Sequence, residues 1–446
     1  MNRREFHAAL LAGAAGLALP PLGVAGAEGV HSAAPLPDPP AVNGARLNEQ
    51  LAALARFGAN PQGGVSRVAY GDADLKGRAY VTELMRAAKL QPTVDAAGNI
   101  IGRRAGRDAA RKPLLFGSHI DSVPEGGNYD GPVGSLGAIE VARTLAESGI
   151  VTRHPLEVTI WQNEEGGLVG SRAVSGQLEE KELAMRAASG RTWGEGIALL
   201  GGDVARLASV KRARGDIAAY LELHIEQGGT LDREKIEIGV VEGIVGIGRW
   251  EVTVTGVSNH AGTTAMADRH DALLAASMLV QAVNRVARAR PGRQVATVGR
   301  IQAFPGAPNV IPGRVALIIE VRDLDAAVIA AVHRDVVAEG ERIAKETGTS
   351  IAYVEETPHV PAMADERVRA VIARSARSLG LSTRSLPSGA GHDAQSMALL
   401  GPMGMIFVPS VGGISHSPKE FTKPADITNG ANVLLRTLLA LDAELA

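Results

Sequence analysis

From about residue 45 the chain carries two alternating kinds of apolar pattern. Apolar positions recur at helical spacing over 45–57, whereas 113–117 and 156–161 are short β-prone runs of the kind that buried strands require. Between those runs, 138–148 reads as a helix that closes at Gly149. Strands alternating with helices predict an α/β layer with a mostly parallel sheet, whose ligands sit beyond the carboxyl ends of the strands. The pattern changes near residue 247. A strand over 249–254, a long amphipathic helix over 271–287, strands over 295–302 and 314–321, a helix over 326–347 and a strand over 350–355 follow in turn. That β-α-β-β-α-β order predicts a self-contained ferredoxin-like insertion. The α/β pattern resumes near Pro361, with a helix over 368–379, a strand over 405–408 and a helix over 426–441.

At 446 residues the chain is too long for one ordinary core. The boundaries that follow from the pattern are 45–246 for the first part of an α/β catalytic domain, 247–356 for the insertion and 357–446 for the second part. The net charge of -2, with no block of like charges, gives no electrostatic support for a nucleic-acid or anionic-membrane partner. Cysteine is absent, which excludes thiolate metal sites, cysteine nucleophiles and disulfides, and leaves imidazole and carboxylate as ligands.

The first residues read as an export signal. Arg3 and Arg4 form a twin arginine, an apolar run over 8–19 follows, and Ala25-Gly-Ala27 is a cleavage pattern. The run is too short to span about 30 Å of hydrocarbon, so no stable membrane anchor is expected. Residues 1–27 are therefore expected to be a twin-arginine-type signal peptide and 28–44, with Pro35, Pro37, Pro39 and Pro40, an extended linker. The mature protein is expected to be periplasmic or secreted.

Candidate chemistry gathers at the predicted strand ends. Glu164 and Glu165 close the strand at 156–161, where neighbouring side chains on a strand would face opposite ways, one towards a metal and one towards a proton. His119-Ile-Asp121 ends another strand, and Asp121 is placed to contact the His119 imidazole from behind. Asp130 lies in a turn-rich stretch, 126–131, just before a helix, where a turn or helix-cap aspartate is the plain alternative. His224 stands near the end of an apolar run, where a lone histidine is usually a packed core residue, and His416 lies in a loop, where simple exposure is the plain alternative. No G-x-S-x-G, H-E-x-x-H or P-loop string is present, so serine-hydrolase, single-zinc protease and nucleotidase readings lack support. His7, His31, His154, His270, His333 and His359 sit in no such motif.

Taken in order, His119, Asp130, Glu164, Glu165, His224 and His416 resemble the dinuclear zinc aminoacylase/carboxypeptidase superfamily. Further strings narrow the resemblance: Leu-His-Ile-Glu-Gln-Gly at 223–228, Ser-Asn-His-Ala-Gly-Thr-Thr at 258–264, Asn-Val-Ile-Pro-Gly at 309–313, Gly-Ala-Gly-His-Asp-Ala at 389–394 and Gly-Ile-Ser-His-Ser-Pro at 413–418. They look like the N-carbamoyl-L-amino-acid amidohydrolase (hydantoinase/carbamoylase) branch, with allantoate amidohydrolase and β-ureidopropionase as relatives. The resemblance runs from about residue 45 to the C-terminus.

It implies one metal held by His119, Asp130 and His224, and a second held by Asp130, Glu165 and His416, with Asp130 bridging. Two divalent ions about 3.5–4 Å apart need such a shared carboxylate. Zinc suits the mixed set, and manganese, cobalt or nickel could substitute. Glu164 would be the general base acting on a metal-bridging water. The insertion would be lid and dimerisation surface, and His260 would reach the partner's active site in a homodimer. Arg322 and Asn309 would bind the substrate carboxylate, with Gln227, Gly391 and His392 as the remaining substrate contacts. The family also holds its bridging aspartate before a cis peptide, so Asp130–Gly131 is expected to be cis.

One stretch departs from the pattern. Relatives carry an Arg-Phe pair a few residues after the double glutamate, but here 164–172 is shorter and lacks it. The implied activity is hydrolysis of the C–N bond of small N-carbamoyl or related N-acyl L-amino acids. An aminoacylase or dipeptidase of the same superfamily, or an exported solute-binding protein with a degenerate site, are the alternatives.

Overall fold

The computed structural model describes residues 40–356 and 359–445. The expected signal peptide and all but the end of the linker lie outside the described residues. Four fully buried strands, Leu114–His119, Leu156–Trp161, Ala219–Ile225 and Met403–Val408, form the centre of the molecule. They lie in the order 156–161, 114–119, 219–225, 403–408, and all run parallel. Alternate side chains feed two cores. Leu221, Leu223, Ile406 and Val408 pack on one face with the helices Pro132–Glu147 and Pro424–Glu444, while Tyr220, Met405 and Phe407 pack on the other. Antiparallel strands Gln91–Val94 and Ile100–Arg104 extend one edge; Ile238–Ile244, with Thr383–Ser388 and Ala362–Met363 paired to it, extends the other. The sheet is therefore mixed α/β with a parallel middle, and its parallel strands all deliver their carboxyl ends to one edge.

After Ile244 the chain leaves this sheet, and it rejoins at Ala362–Met363. In between it builds a separate antiparallel sheet, in the order 350–355, 246–255, 314–323, 295–304. Helices Ala272–Ala289 and Ala326–Thr347 pack on it around their own core of Trp250, Val252, Leu279, Leu317 and Val336. A small two-stranded antiparallel pairing, Asn259–His260 with Val310–Ile311, stands beside it and has no counterpart in the apolar pattern. Among the described residues no helix is long and apolar enough to cross a membrane.

Three expectations change. The helix predicted over 138–148 begins earlier, at Pro132, because Pro at the first turn follows Gly131 with φ 79. The double glutamate lies on a turn beyond Trp161, after Asn163 with φ 50, so turn geometry and not strand alternation separates the two side chains. Asp130–Gly131 is trans; the cis bond among the described residues is Phe304–Pro305.

Candidate metal centre

The parallel strands and the loops after them converge on Asp130. His119, the last residue of its strand, puts Nδ1 3.0 Å from the Asp121 carbonyl oxygen, which leaves Nε2 facing Asp130 Oδ1 at 3.7 Å and Glu164 Oε2 at 3.6 Å. His224 repeats the device one strand away, with Nδ1 2.9 Å from the Ile225 carbonyl and Nε2 3.2 Å from Asp130 Oδ1. A backbone acceptor at Nδ1 fixes the proton there and turns the Nε2 lone pair inward. From the opposite side His416, held at φ 51, brings Nε2 within 3.3 Å of both Asp130 Oδ2 and Glu165 Oε2. Each oxygen of Asp130 thus serves a different ligand set.

These residues form two groups whose potential ligand atoms lie within 4.8 Å of one another: His119, Asp130 and His224, and Asp130, Glu165 and His416. Glu222, His224 and His392 form a third, but the Glu222 oxygens already accept from Ser118, Tyr220 and the Ala394 N–H. The first two groups fit divalent metal ions on their own evidence. His119 Nε2 and Glu165 Oε1 are buried without a hydrogen-bond partner, an arrangement that costs free energy unless something binds there. Asp121, Asp130, Glu164 and Glu165 also crowd together out of water, which favours a cation between them.

The electrostatics express the same crowding. Burial, reinforced by Glu165 and Asp393, raises the Glu164 carboxyl well above the usual range against the pull of His119. Burial and the neighbouring Asp130 push Glu165 up to about 7. Asp130 hydrogen-bonds His416 and, with Glu165, pushes it up to about 9 despite its partial burial. Burial would raise Asp130, but its imidazole neighbours His119, His224 and His416 hold it well below its ordinary value.

Around this centre the expected contacts divide. The Asp121 carboxylate stands 3.6 Å from His119 Nδ1, yet its hydrogen bonds go elsewhere: Oδ1 accepts from the Glu164 N–H at 3.3 Å and Oδ2 from the Glu165 N–H at 3.2 Å. Gln227, at φ 58, donates to Asp130 Oδ2 at 2.6 Å. His392 is buried with its ring 4.5 Å from that of His224 and Nε2 2.7 Å from Ser388 Oγ, while Gly391 beside it is exposed. Arg322 spends its guanidinium on Glu320 and on the Gly389 carbonyl, across the junction between the two sheets. His260 and Asn309 lie next to each other at the small two-stranded pairing, both exposed, and among the described residues no hydrogen bond or ion pair joins them to the centre. Sequence reasoning missed Glu420, whose buried carboxylate accepts from the N–H groups of Tyr129 and Asp130 and from Ser415, itself bonded to Asp130. Its position four residues after His416 in one string was the available signal.

Residues 115–440 match the family described as peptidase family M20/M25/M40. An N-carbamoyl-L-amino acid amidohydrolase of Geobacillus stearothermophilus is 39% identical over 405 residues, covering 90% of this chain and 99% of that one. An allantoate amidohydrolase of Bacillus subtilis (strain 168) is 35% identical over 401 residues, covering 89% and 97%. A crystal structure of a hydantoinase/carbamoylase family amidase from Burkholderia multivorans superposes with a TM-score of 0.84 at 39% identity, over 91% of this chain and 99% of that one. The chain belongs to the M20/M25/M40 peptidase family. Within it the chain falls in the hydantoinase/carbamoylase branch that its motifs resemble, and it is an amidohydrolase acting on C–N bonds.

Proposed function

We propose that the chain hydrolyses small N-carbamoyl, or closely related N-acyl, L-amino acids with Glu164 as general base. The observation that carries this reading is the division between two adjacent glutamates. Glu165 turns to His416 within the second ligand set, while Glu164 turns to His119 and keeps a buried carboxyl outside either set. The substrate class rests on the names of the relatives. Two divalent ions, zinc by the chemistry of the donors, would be held by His119, Asp130, Glu165, His224 and His416, and when bound supply the Lewis acidity that polarises the carbonyl and activates water.

The chain's own residues then do the following. Glu164 takes a proton from the attacking water as oxygen adds to the carbonyl carbon. It returns that proton to the leaving nitrogen as the C–N bond breaks; its place beside His119, outside both ligand sets, leaves it free for both transfers. Arg322 exchanges the Gly389 carbonyl for the substrate carboxylate, to which its fork donates two parallel hydrogen bonds, with Asn309 beside it. Gln227 and the exposed main chain at Gly391 orient the rest of the substrate. His392 joins them only if its bond to Ser388 opens. His260, its Nδ1 occupied by the N–H groups of Gly262 and Thr263, presents Nε2 outward to a neighbouring subunit's site.

The test pairs two variants. Glu164→Gln should keep both ions and lose ~10²–10⁴-fold in turnover, because an amide accepts no proton. Glu165→Gln should lose one ion. Equal metal content and equal activity in the two variants would sink the assignment. Products decide the substrate: ammonia with amino acid marks a carbamoyl substrate, and amino acid alone from an N-acyl compound or dipeptide marks an aminoacylase or dipeptidase.

A further inference from the structure

Arg67 lies outside every motif used above, yet its side chain is fully buried beneath the centre. Its Nε donates to the Ile120 carbonyl at 2.6 Å, between His119 and Asp121, and Nη1 donates to the carbonyls of Leu54 and Phe57 at 3.0 Å each. Its backbone adds a reciprocal pair with Ser122: Arg67 N–H to Ser122 Oγ at 2.8 Å, and Ser122 N–H to Arg67 O at 3.0 Å. Three of these five contacts fix the 120–122 turn to Arg67, and the other two tie Arg67 to the end of the helix Gly44–Ala55 and the residues just after it. From that turn Asp121 reaches across to the consecutive N–H groups of Glu164 and Glu165. Gly77 closes the seat from the other side, since a methyl there would run into the Arg67 side chain. Burial lowers the guanidinium only to about 10, so it remains a cation at neutral pH and attracts Asp121 and Asp74.

We infer that Arg67 is a positioning residue, which fixes the Ile120–Asp121–Ser122 turn so that the Asp121 carboxylate holds the Glu164–Glu165 backbone against the metal centre. It touches neither substrate nor ligand atoms; it acts through the turn. The two glutamates have no regular secondary structure to hold them, because their strand ends at Trp161. Asp121 supplies the missing constraint with one oxygen per N–H, and a carboxylate so used must itself be fixed in place. A guanidinium bonded to three carbonyls, with no freedom to swing, does this in a way that a lysine's single rotating ammonium reproduces only in part.

The inference rests on the roles proposed for Glu164 and Glu165, and the test separates the two. Arg67→Met and Arg67→Lys are made in the full chain, with Arg78→Met as control. Arg78 is another buried guanidinium, on the helix Asp72–Ala87; it attracts Asp121 through space but gives its hydrogen bond to the Gly98 carbonyl, so it controls for buried charge without a bond to 120–122. Zinc affinity at each site, melting temperature, kcat and KM are measured for each. Arg67→Met should weaken zinc at the Glu165–His416 site by roughly 10–100-fold, the usual effect of losing a residue that orients a ligand. Its kcat should fall by more than about tenfold with KM changed by less than about threefold, the pattern of a misplaced base. Arg67→Lys should fall between it and the wild type. Arg78→Met should lower the melting temperature and move both constants less than Arg67→Met does. Wild-type zinc affinity in Arg67→Met, or a loss no greater than in Arg78→Met, would overturn the inference. If the methionine variant does not fold, the same two constants are read from Arg67→Lys, and wild-type values there overturn it equally. Should Glu164→Gln keep full turnover, the role of Glu164 as base fails, while the zinc affinity of the Arg67 variants still reports whether this turn holds Glu165.

Discussion

His416 carries a proton at neutral pH in the metal-free protein, because Asp130 and Glu165 both lie 3.3 Å from its Nε2 and push it up to about 9. Glu165, raised to about 7, begins to take one as the pH falls further. An ion entering this ligand set must displace those protons, so they compete with it. The sign follows directly: a raised pKa favours the protonated, metal-free form, and affinity at this set rises with pH. Between pH 7 and 9 one proton is displaced and zinc affinity should climb about tenfold per pH unit; below pH 7 two are displaced and the slope should approach about a hundredfold. Zinc titrations of metal-free protein across pH 6–8.5, with proton release counted, measure it, and a flat profile would show that His416 and Glu165 do not ligate. At this scale much of the candidate site was legible. His119, Asp130, Glu165, His224 and His416 could be assigned through ordered motifs, and the fold brings all five together. Asp121 and Glu420 were harder to read because they act on backbone N–H groups of segments distant in sequence, 164–165 and 129–130, and a one-dimensional string carries no record of those encounters.

The helix Pro132–Glu147 shows how an element's end is shaped by the site it serves. Its start needs Gly131 at φ 79, and a methyl on that residue would drive into the His119 ring. Gly131→Ala combines backbone strain of about 1–3 kcal/mol with displacement of a ligand. It should weaken zinc at the His119–Asp130–His224 set by at least about tenfold and lower the melting temperature of the metal-free protein as well. Unchanged zinc affinity would mean that the ring can move aside without cost. Elements were legible in the sequence where one face is apolar and hidden where it is not. The helix Asp72–Ala87 buries Asp74 and Arg78 along with Val81 and Met85, so its inner face does not read as an apolar stripe. The strand Ile238–Ile244 contains two glycines that suggest a loop. Yet a side chain at 239 would strike Leu386 and Phe407, and one at 243 the Ala362 backbone, so close packing of neighbouring strands requires them. Gln91–Val94 is largely exposed and has little pattern to show.

At the scale of the whole molecule, the inserted unit and the large-sheet unit that carries the metal centre meet, among the described residues, through few polar contacts: Arg322 to the Gly389 carbonyl, Arg293 to Glu242, and the Ile247–His359 bridge. Every residue proposed to hold metal lies on the large sheet's carboxyl edge, whereas His260 stands exposed on the short two-stranded pairing of the inserted unit. Val257, Met266 and Leu274 are also exposed on the same unit, so a partner docked there would cover apolar side chains. We propose that the partner is a second copy and that His260 completes its site. A donor aimed at the polarised carbonyl is worth roughly 2.7–4 kcal/mol in the transition state, so His260→Ala should lose on the order of 10²–10³-fold in turnover with metal content unchanged. The decisive experiment mixes that variant with Glu164→Gln. Each homodimer lacks one half of both its sites, but a mixed dimer assembles one site from an intact Glu164 and the other chain's intact His260. With equal mixing and free exchange half the dimers are mixed, each with one good site of two, and activity should recover to about a quarter of wild type. Chains that exchange subunits and still recover nothing would place His260 in its own chain's site or outside the reaction.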